Sequence, residues 1–175
     1  MMNQQRQTPK FLTQRVAQCA VDTVLNATIL SSDLTGTFKR TMCHVVVLVP
    51  SIDRAREPST EWPNCSMGPY CLYEKSVGDR KEWPHDFSVI ARSKAMQLWQ
   101  DRNDDRTDVM PHLLFSGDTA FWGGVKRSGI VVTCSGVQAY FDKMIAGMTA
   151  DMCIALAYHN WMTSNERNEG AMLLG

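Results

Sequence analysis

The sequence has no apolar run of about 18 residues, which a membrane-spanning helix would need. Residues 1–10 also lack the apolar core of a signal peptide. Neither sign of charge is in excess, since 18 Lys and Arg balance 18 Asp and Glu. A nucleic-acid backbone or an anionic membrane surface would require a cationic face. We therefore expect a soluble, cytoplasmic protein with neither nucleic acid nor membrane as a partner.

The sequence also lacks the spacings of common metal sites. It contains no C-x-x-C, H-x-x-x-H or H-E-x-x-H pattern, so we predict no metal site. Its six cysteines are scattered, and we expect reduced thiols. Cys65 and Cys71 are the pair that we expect to be both exposed and close, because they flank a short stretch with Pro and Gly.

A length of 175 residues and an apolar fraction of 44% indicate one globular domain. We expect a disordered segment over residues 1–10, a single domain over 11–163 and a flexible tail over 164–175. Apolar residues at intervals of three and four predict a helix from residue 11 to about residue 30. The β-branched run 43–49 predicts a central strand that is buried on both faces.

The next segments predict an excursion, a strand and a second helix. Residues 51–68 contain Pro58 and Pro63 and are predicted to be irregular, whereas residues 70–75 have strand composition. The helix that follows Pro84 is predicted to end near residue 102. Its apolar stripe should face the core, and three polar residues should point towards solvent: Arg92, Lys94 and Gln97.

The last segments predict a buried strand over 130–134 and a long helix to about residue 162. Ser135 and Gln138 have the spacing of a capping box, which places the start of the helix at Ser135. We expect its methionines to fill the core: Met144, Met148, Met152 and Met162. The element order predicts an α+β fold in which helices flank a mainly antiparallel sheet.

Six pieces of sequence together resemble the GlcG/HbpS-like family, which includes haem-binding or haem-degrading-like and PduO C-terminal-like members. They are Leu12-Thr13 at a helix start, the strands 45–49 and 72–75, the helix 90–95, the loop 114–118 with 123–125, and Val131-Val132-Thr133-Cys134-Ser135-Gly136 before a long helix. The resemblance implies a five-stranded antiparallel sheet, a profilin-like fold and assembly into homo-oligomers. Some members of the family bind haem.

Two departures from the family limit what the resemblance implies. The stretch 51–68 is longer than the usual tight turn, and the link 126–129 shortens the hairpin before the last strand. No histidine of this sequence matches a haem ligand of the family, so haem stays a possible cofactor without an assigned ligand.

The histidines and carboxylates are candidates for chemistry. We expect His44 and His159 to be structural, whereas His85 and His112 lie where an imidazole could bind haem iron or zinc. The candidate catalytic acids and bases are His85, Asp118 and Asp142. The simplest interpretation of Asp142 and of Glu74 is a solvated carboxylate.

The candidate ligand site combines a strand-to-helix turn with a glycine-rich loop. Thr133 and Val137 replace the glycines of a nucleophile elbow, so Ser135 is expected to cap the helix, and anion binding at the first amides is the alternative. Glycine next to tryptophan can form a cup with a flat wall. The predicted ligand-binding residues are Trp122, Gly123, Gly124, Arg127, Ser135 and Gly136.

Three functions fit these features. The first is a homo-oligomeric protein that binds haem or another flat acidic small molecule. The second is a cofactor-free isomerase, cyclase or hydrolase that uses the same pocket, and the third is an interaction module. The long stretch 51–68 could serve as a lid or as an oligomer contact.

Overall fold

The structure is an antiparallel sheet with helices on both faces. It is a computed structural model and describes residues 6–53, 67–103 and 109–172. Within these residues, four strands of four or more residues form the sheet: β2 (Cys43–Asp53), β3 (Met67–Val77), β4 (Gly124–Arg127) and β5 (Ile130–Ser135). A two-residue strand, β1 (Arg6–Gln7), joins the end of β2. The helices are α1 (Gln14–Ala27), α2 (Phe87–Trp99), α3 (Ala139–Met162) and the short α4 (Asn165–Asn168). The predicted α+β class with an antiparallel, helix-flanked sheet is confirmed.

Strand β2 is the centre of the sheet. It pairs antiparallel with β3 along one edge and with β5 and β1 along the other. Val45, Val47 and Val49 pack into the core beneath α1 and α3, while Val46 and Leu48 pack into a second core beneath α2. The prediction of a strand buried on both faces is confirmed, because its β-branched side chains fill two separate cores.

Helix α2 lies on one face of the sheet, and α1 and α3 lie on the other. Two side chains of α2 that we expected in solvent are buried, Lys94 at 1% exposure and Gln97 at 0%. The expectation for Lys94 was wrong because it lies on the same side of the helix as Ala91, Ala95 and Leu98, which pack against the sheet. The Lys94 ammonium donates to the Cys134 carbonyl oxygen and the Gln97 Nε2 donates to the Thr119 carbonyl oxygen, whereas the Gln97 Oε1 has no partner among the described residues.

Helix α3 begins later than the capping box predicted. Ser135 belongs to β5, where it pairs with His44, and the N-cap is Gln138. The Gln138 side-chain oxygen accepts a hydrogen bond from the Lys39 amide at 3.0 Å instead of reaching back to Ser135. The prediction of Ser135 as the helix cap was therefore wrong.

The packing face of α3 is made of small residues rather than methionines. Ala146, Gly147, Ala150 and Cys153 are buried, because α3 lies close to α1 and to the sheet. Met144 and Met152 are half-buried against the core, whereas Met148 and Met162 are exposed. The prediction of four core methionines holds for two of them.

Several predicted boundaries also differ. Strands β2 and β3 extend into the stretch that we expected to be irregular, since Ser51 pairs with Gly68. Residues 54–66 lie outside the described residues, and with them Cys65 of the proposed cysteine pair and the proposed lid. The N-terminal segment contributes β1, and the tail contains α4. None of the described helices combines the length and the hydropathy that a bilayer crossing requires.

Candidate functional site

A pocket of about 210 Å³ opens where α2, the loop 117–123 and the start of α3 meet. We call this loop the Trp122 loop and this cavity the α2–α3 pocket. The sheet contributes the end of β5 to the pocket, and the segment before β2 contributes Arg40. The lining residues are Arg40, His85, Phe87, Ile90, Lys94, Phe121, Trp122, Ser135, Gly136, Val137, Gln138, Ala139 and Asp142.

A buried ion pair forms part of the pocket lining. The Lys94 ammonium donates to the Cys134 carbonyl oxygen at 2.9 Å and lies 3.2 Å from the Asp142 Oδ2. The other carboxylate oxygen of Asp142 accepts a hydrogen bond from the Val137 amide at 3.1 Å. Burial raises the pKa of the Asp142 carboxyl, although Lys94 acts in the opposite direction. The expectation of a solvated carboxylate at Asp142 was wrong, since the residue is only 4% exposed.

The Ser135 side chain is directed towards the pocket. Side chains alternate along β5, and Cys134 packs into the core beneath α1 and α3, so Ser135 points to the α2 side of the sheet. The residue is buried and lines the pocket. Within the described part of the chain its hydroxyl makes no hydrogen bond.

The mouth of the pocket combines a cation with aromatic rings. The half-buried Arg40 guanidinium lies 3.4 Å from each of the Gly136 and Val137 carbonyl oxygens. Buried Phe87, half-buried Trp122 and exposed Phe121 supply the rings, and exposed His85 lies beside them. The pocket therefore offers positive charge next to flat apolar walls.

The structure brings together most, but not all, of the predicted site residues. Of the predicted ligand-binding residues, Trp122, Ser135 and Gly136 line the α2–α3 pocket, and so do two of the catalytic candidates, His85 and Asp142. The adjacent glycines, Gly123 and Gly124, are buried behind the lining. A Cβ on Gly123 would lie 2.6 Å from the Asp142 Cβ and 3.1 Å from the Lys94 Nζ. Gly123 lets the loop approach the ion pair closely, whereas Gly124 lies against Thr133 and Leu98, and neither glycine lines the cavity.

Two predicted residues lie elsewhere. Arg127 pairs with Asp151 on α3 and donates to the Gly147 carbonyl oxygen. Asp118 binds the Arg102 guanidinium with both carboxylate oxygens and accepts a hydrogen bond from the Phe115 amide. Neither residue lines the α2–α3 pocket. The geometry gives Asp118 a role in fixing its loop.

Sequence reasoning missed Lys94 and Arg40. A signal for Lys94 was present, because a lysine that falls within the apolar stripe of a helix must bury its charge or distort the helix. Arg40 follows a polar, glycine-containing stretch, and no pattern in the sequence marks it as a pocket residue.

A second polar cluster lies beside the pocket on the same face of the sheet. The His44 Nδ1 is 2.9 Å from the Ser76 hydroxyl, and its Nε2 is 3.5 Å from Glu74. Burial lowers the pKa of His44, and the Glu74 carboxylate opposes that shift. Glu74 in turn binds Arg92 of α2, and this contact lowers the pKa of the Glu74 carboxyl. His44 is thus a buried histidine, as predicted, whereas His159 is exposed on α3.

Within residues 6–53, 67–103 and 109–172, no three His, Cys, Asp or Glu side chains come together as metal ligands.

Comparison of the chain with protein-family models, with curated proteins and with solved structures finds no match in any of the three. The resemblance to the GlcG/HbpS-like family therefore remains a prediction.

Proposed function

We propose that this protein binds a small acidic molecule in the α2–α3 pocket. The observation that carries the proposal is the charge of the lining, where two cations, Arg40 and Lys94, stand against one carboxylate, Asp142. Burial raises the pKa of the Asp142 carboxyl and Lys94 opposes that shift, and with Asp142 paired to Lys94 the net positive charge of the lining comes from Arg40. Positive groups in a partly enclosed pocket attract an anion more strongly than the same groups in water.

The size of the pocket favours a ligand smaller than haem. Its volume of about 210 Å³ is below the range of about 300–1,000 Å³ that holds drug-sized ligands. We therefore expect haemin at tens of micromolar to produce no Soret shift. A clear shift would favour the haem-binding version that the family resemblance implies.

Two measurements test the proposal. Native mass spectrometry of freshly purified protein detects a retained ligand, and calorimetric titration with a panel of small carboxylic acids and their neutral amides detects the preference for charge. The Trp122→Ala variant should lose affinity, while the Trp161→Ala variant, whose ring packs on Phe11, should not. Absence of any retained ligand together with equal response to acids and amides would contradict the proposal.

A cofactor-free isomerase, cyclase or hydrolase is the second candidate function. It is favoured by one observation, the buried Asp142 carboxyl with its raised pKa beside Lys94 in a pocket. A general acid or base at neutral pH requires a shift of this direction. Conversion of a bound ligand by the wild type and loss of turnover in Asp142→Asn, with binding retained, would identify an enzyme.

We also propose a GlcG/HbpS-like, profilin-like domain that forms homo-oligomers. Support comes from the order of elements α1, β2, β3, α2, β4, β5, α3 around one antiparallel sheet. Strand β3 also carries exposed Met67 and Tyr70. Sedimentation velocity over a range of concentrations tests the assembly, and a monomer at all concentrations would contradict it.

A further inference from the structure

We propose that the acidic group of the ligand is a single carboxylate attached to one flat ring, and that Ser135 and the first amide of α3 hold this carboxylate. The inference rests on the proposed function, because it names the ligand class of the same α2–α3 pocket. Four features of the pocket support this assignment: the open hydroxyl, the open amide, the charge that the pocket can neutralise and the shape of its walls.

The first feature is the Ser135 hydroxyl. Ser135 is 4% exposed, lines the pocket and has no hydrogen-bond partner among the described residues. Buried polar side chains nearly always have a partner. Because Ser135 lines the pocket, we infer that the ligand supplies the acceptor for its hydroxyl.

The second feature is the beginning of α3, a helix of 24 residues. Its first intrahelical bond runs from the Asp142 amide to the Gln138 carbonyl oxygen at 2.7 Å, so the Ala139 amide precedes the hydrogen-bonded part of the helix. The N-cap residue, Gln138, makes no side-chain hydrogen bond to the first amides of the helix, since its side-chain oxygen accepts from the Lys39 amide instead. Ala139 and Ser135 both line the pocket. A helix start with open amides attracts an anion.

The third feature is the net charge of the side chains that line the pocket. Asp142 neutralises Lys94, whereas Arg40 has only carbonyl oxygens as partners among the described residues. One net positive charge matches a carboxylate. A phosphate ester would bring a charge of about −1.5 to −2 and leave part of it uncompensated.

The fourth feature is the shape of the pocket walls. Phe87 and Trp122 flank the pocket with rings, and Ile90 adds an aliphatic surface. A flat ring can stack on such walls with little loss of conformational freedom. The volume of about 210 Å³ leaves room for about one ring with its carboxylate.

The test uses the full chain and benzoate as the probe, with benzamide, cyclohexanecarboxylate and inorganic phosphate as comparisons in calorimetric titration. We expect benzoate to bind at least about tenfold more tightly than each comparison. Ser135→Ala should weaken benzoate binding about tenfold, which is the usual loss for one hydrogen bond to a charged group. The same variant should unfold at an equal or higher urea concentration, because it removes an unpartnered hydroxyl.

A second variant tests the amide. Ala139→Pro removes its N–H, and proline is favoured at the first position of a helix. Gln138 already has φ −131° and ψ 149°, which are angles that a residue before proline adopts. We expect a folded protein with at least a tenfold loss of benzoate affinity. The matched control is Ser51→Ala, a buried strand serine that binds the Gly68 carbonyl oxygen away from the pocket and should leave affinity unchanged.

The outcomes separate the ligand class from the proposed function. If benzoate binds but Ser135→Ala and Ala139→Pro bind it as the wild type does, the carboxylate position is wrong. If phosphate or cyclohexanecarboxylate binds better than benzoate, the ligand class is wrong, while binding of a small acid stands. If no acid of any shape binds and no retained ligand is found, the proposed function fails as well.

Discussion

The Lys94 ammonium and the Asp142 carboxylate lie 3.2 Å apart although the two residues belong to helices on opposite faces of the sheet. The contact passes the end of β5, where Lys94 also binds the Cys134 carbonyl oxygen. One ion pair therefore ties α2, β5 and α3 together beside the pocket. Both of its members are nearly inaccessible to solvent.

Breaking this ion pair from one side should cost much stability. Lys94→Met leaves a buried carboxylate unpaired, and we expect the free energy of unfolding to fall by about 3–5 kcal/mol in urea titrations. The double variant Lys94→Met/Asp142→Leu should recover much of that loss, because no charge remains buried. The matched control is the exposed pair of Arg127 and Asp151, where Arg127→Ala should cost less than about 1 kcal/mol. Equal losses at the two pairs would contradict a structural role for Lys94.

The buried histidine should make stability depend on pH. Burial lowers the pKa of His44 in the folded protein below the value of about 6.5 in the unfolded chain. Between the two values the unfolded chain binds more protons, so the free energy of unfolding should decrease as the pH falls from about 6.5 through the folded pKa. The groups that face His44 are Glu74, which opposes the shift, and Arg80 and Arg92, which add to it.

Urea midpoints between about pH 8 and about pH 5 measure this dependence. The control is His44→Gln, which keeps a polar side chain near Ser76 without a titrating ring. We expect a shallower slope for His44→Gln than for the wild type over this interval. Parallel curves would show that His44 does not titrate differently in the two states.

A side chain at Gly123 should disturb the ion pair. Gly123 has φ +127°, and its Cβ would lie 2.6 Å from the Asp142 Cβ, so Gly123→Ala combines backbone strain with overpacking. We expect a loss of about 2–4 kcal/mol in the free energy of unfolding. Gly117→Ala is the control, because Gly117 has φ +92° with open space around it and should lose only about 1 kcal/mol. Similar losses in the two variants would mean that the close approach at Gly123 is unimportant.

Two arginines should differ in their effect on ligand binding. Arg40 lines the pocket, whereas Arg127 pairs with Asp151. Arg40→Ala should weaken benzoate binding about tenfold, and Arg127→Ala should leave it unchanged, as measured by calorimetric titration. Both variants remove one positive charge, so any difference reflects position rather than net charge. The sequence-based prediction of Arg127 as a ligand-binding residue requires the opposite result.

Periodicity predicted the parts of the fold in which one residue type repeats. The β-branched run of β2 and the apolar stripe of α1 were correctly interpreted, because burial on a fixed face is visible in the spacing. The start of α3 was not, because Ser135 and Gln138 satisfy the capping pattern while the backbone between them remains extended up to Gln138. A pattern of four residues does not reveal that Gln138 binds Lys39, which is far away in sequence.

The candidate site was predictable where it depends on neighbours along the chain. Trp122, Ser135 and Gly136 were expected together, and they line one pocket. Lys94, Arg40 and Phe87 reach the same pocket through long-range packing, and local spacing does not encode such contacts. Asp142 was expected in solvent because its position on α3 was judged from the methionine face, whereas the small residues form the face that packs.

Strand β2 is held on both edges, since residues 44–48 pair with β3 on one side and with β5 on the other. Two hydrophobic cores cover its faces. The amides of β2 that bond to β5 lie inside the sheet, because β4 covers the other edge of β5, so the opening of one helix or of an outer strand, β3 or β4, does not by itself free them. Their deuterium uptake should consequently be the slowest in the molecule and should report the same free energy as global unfolding.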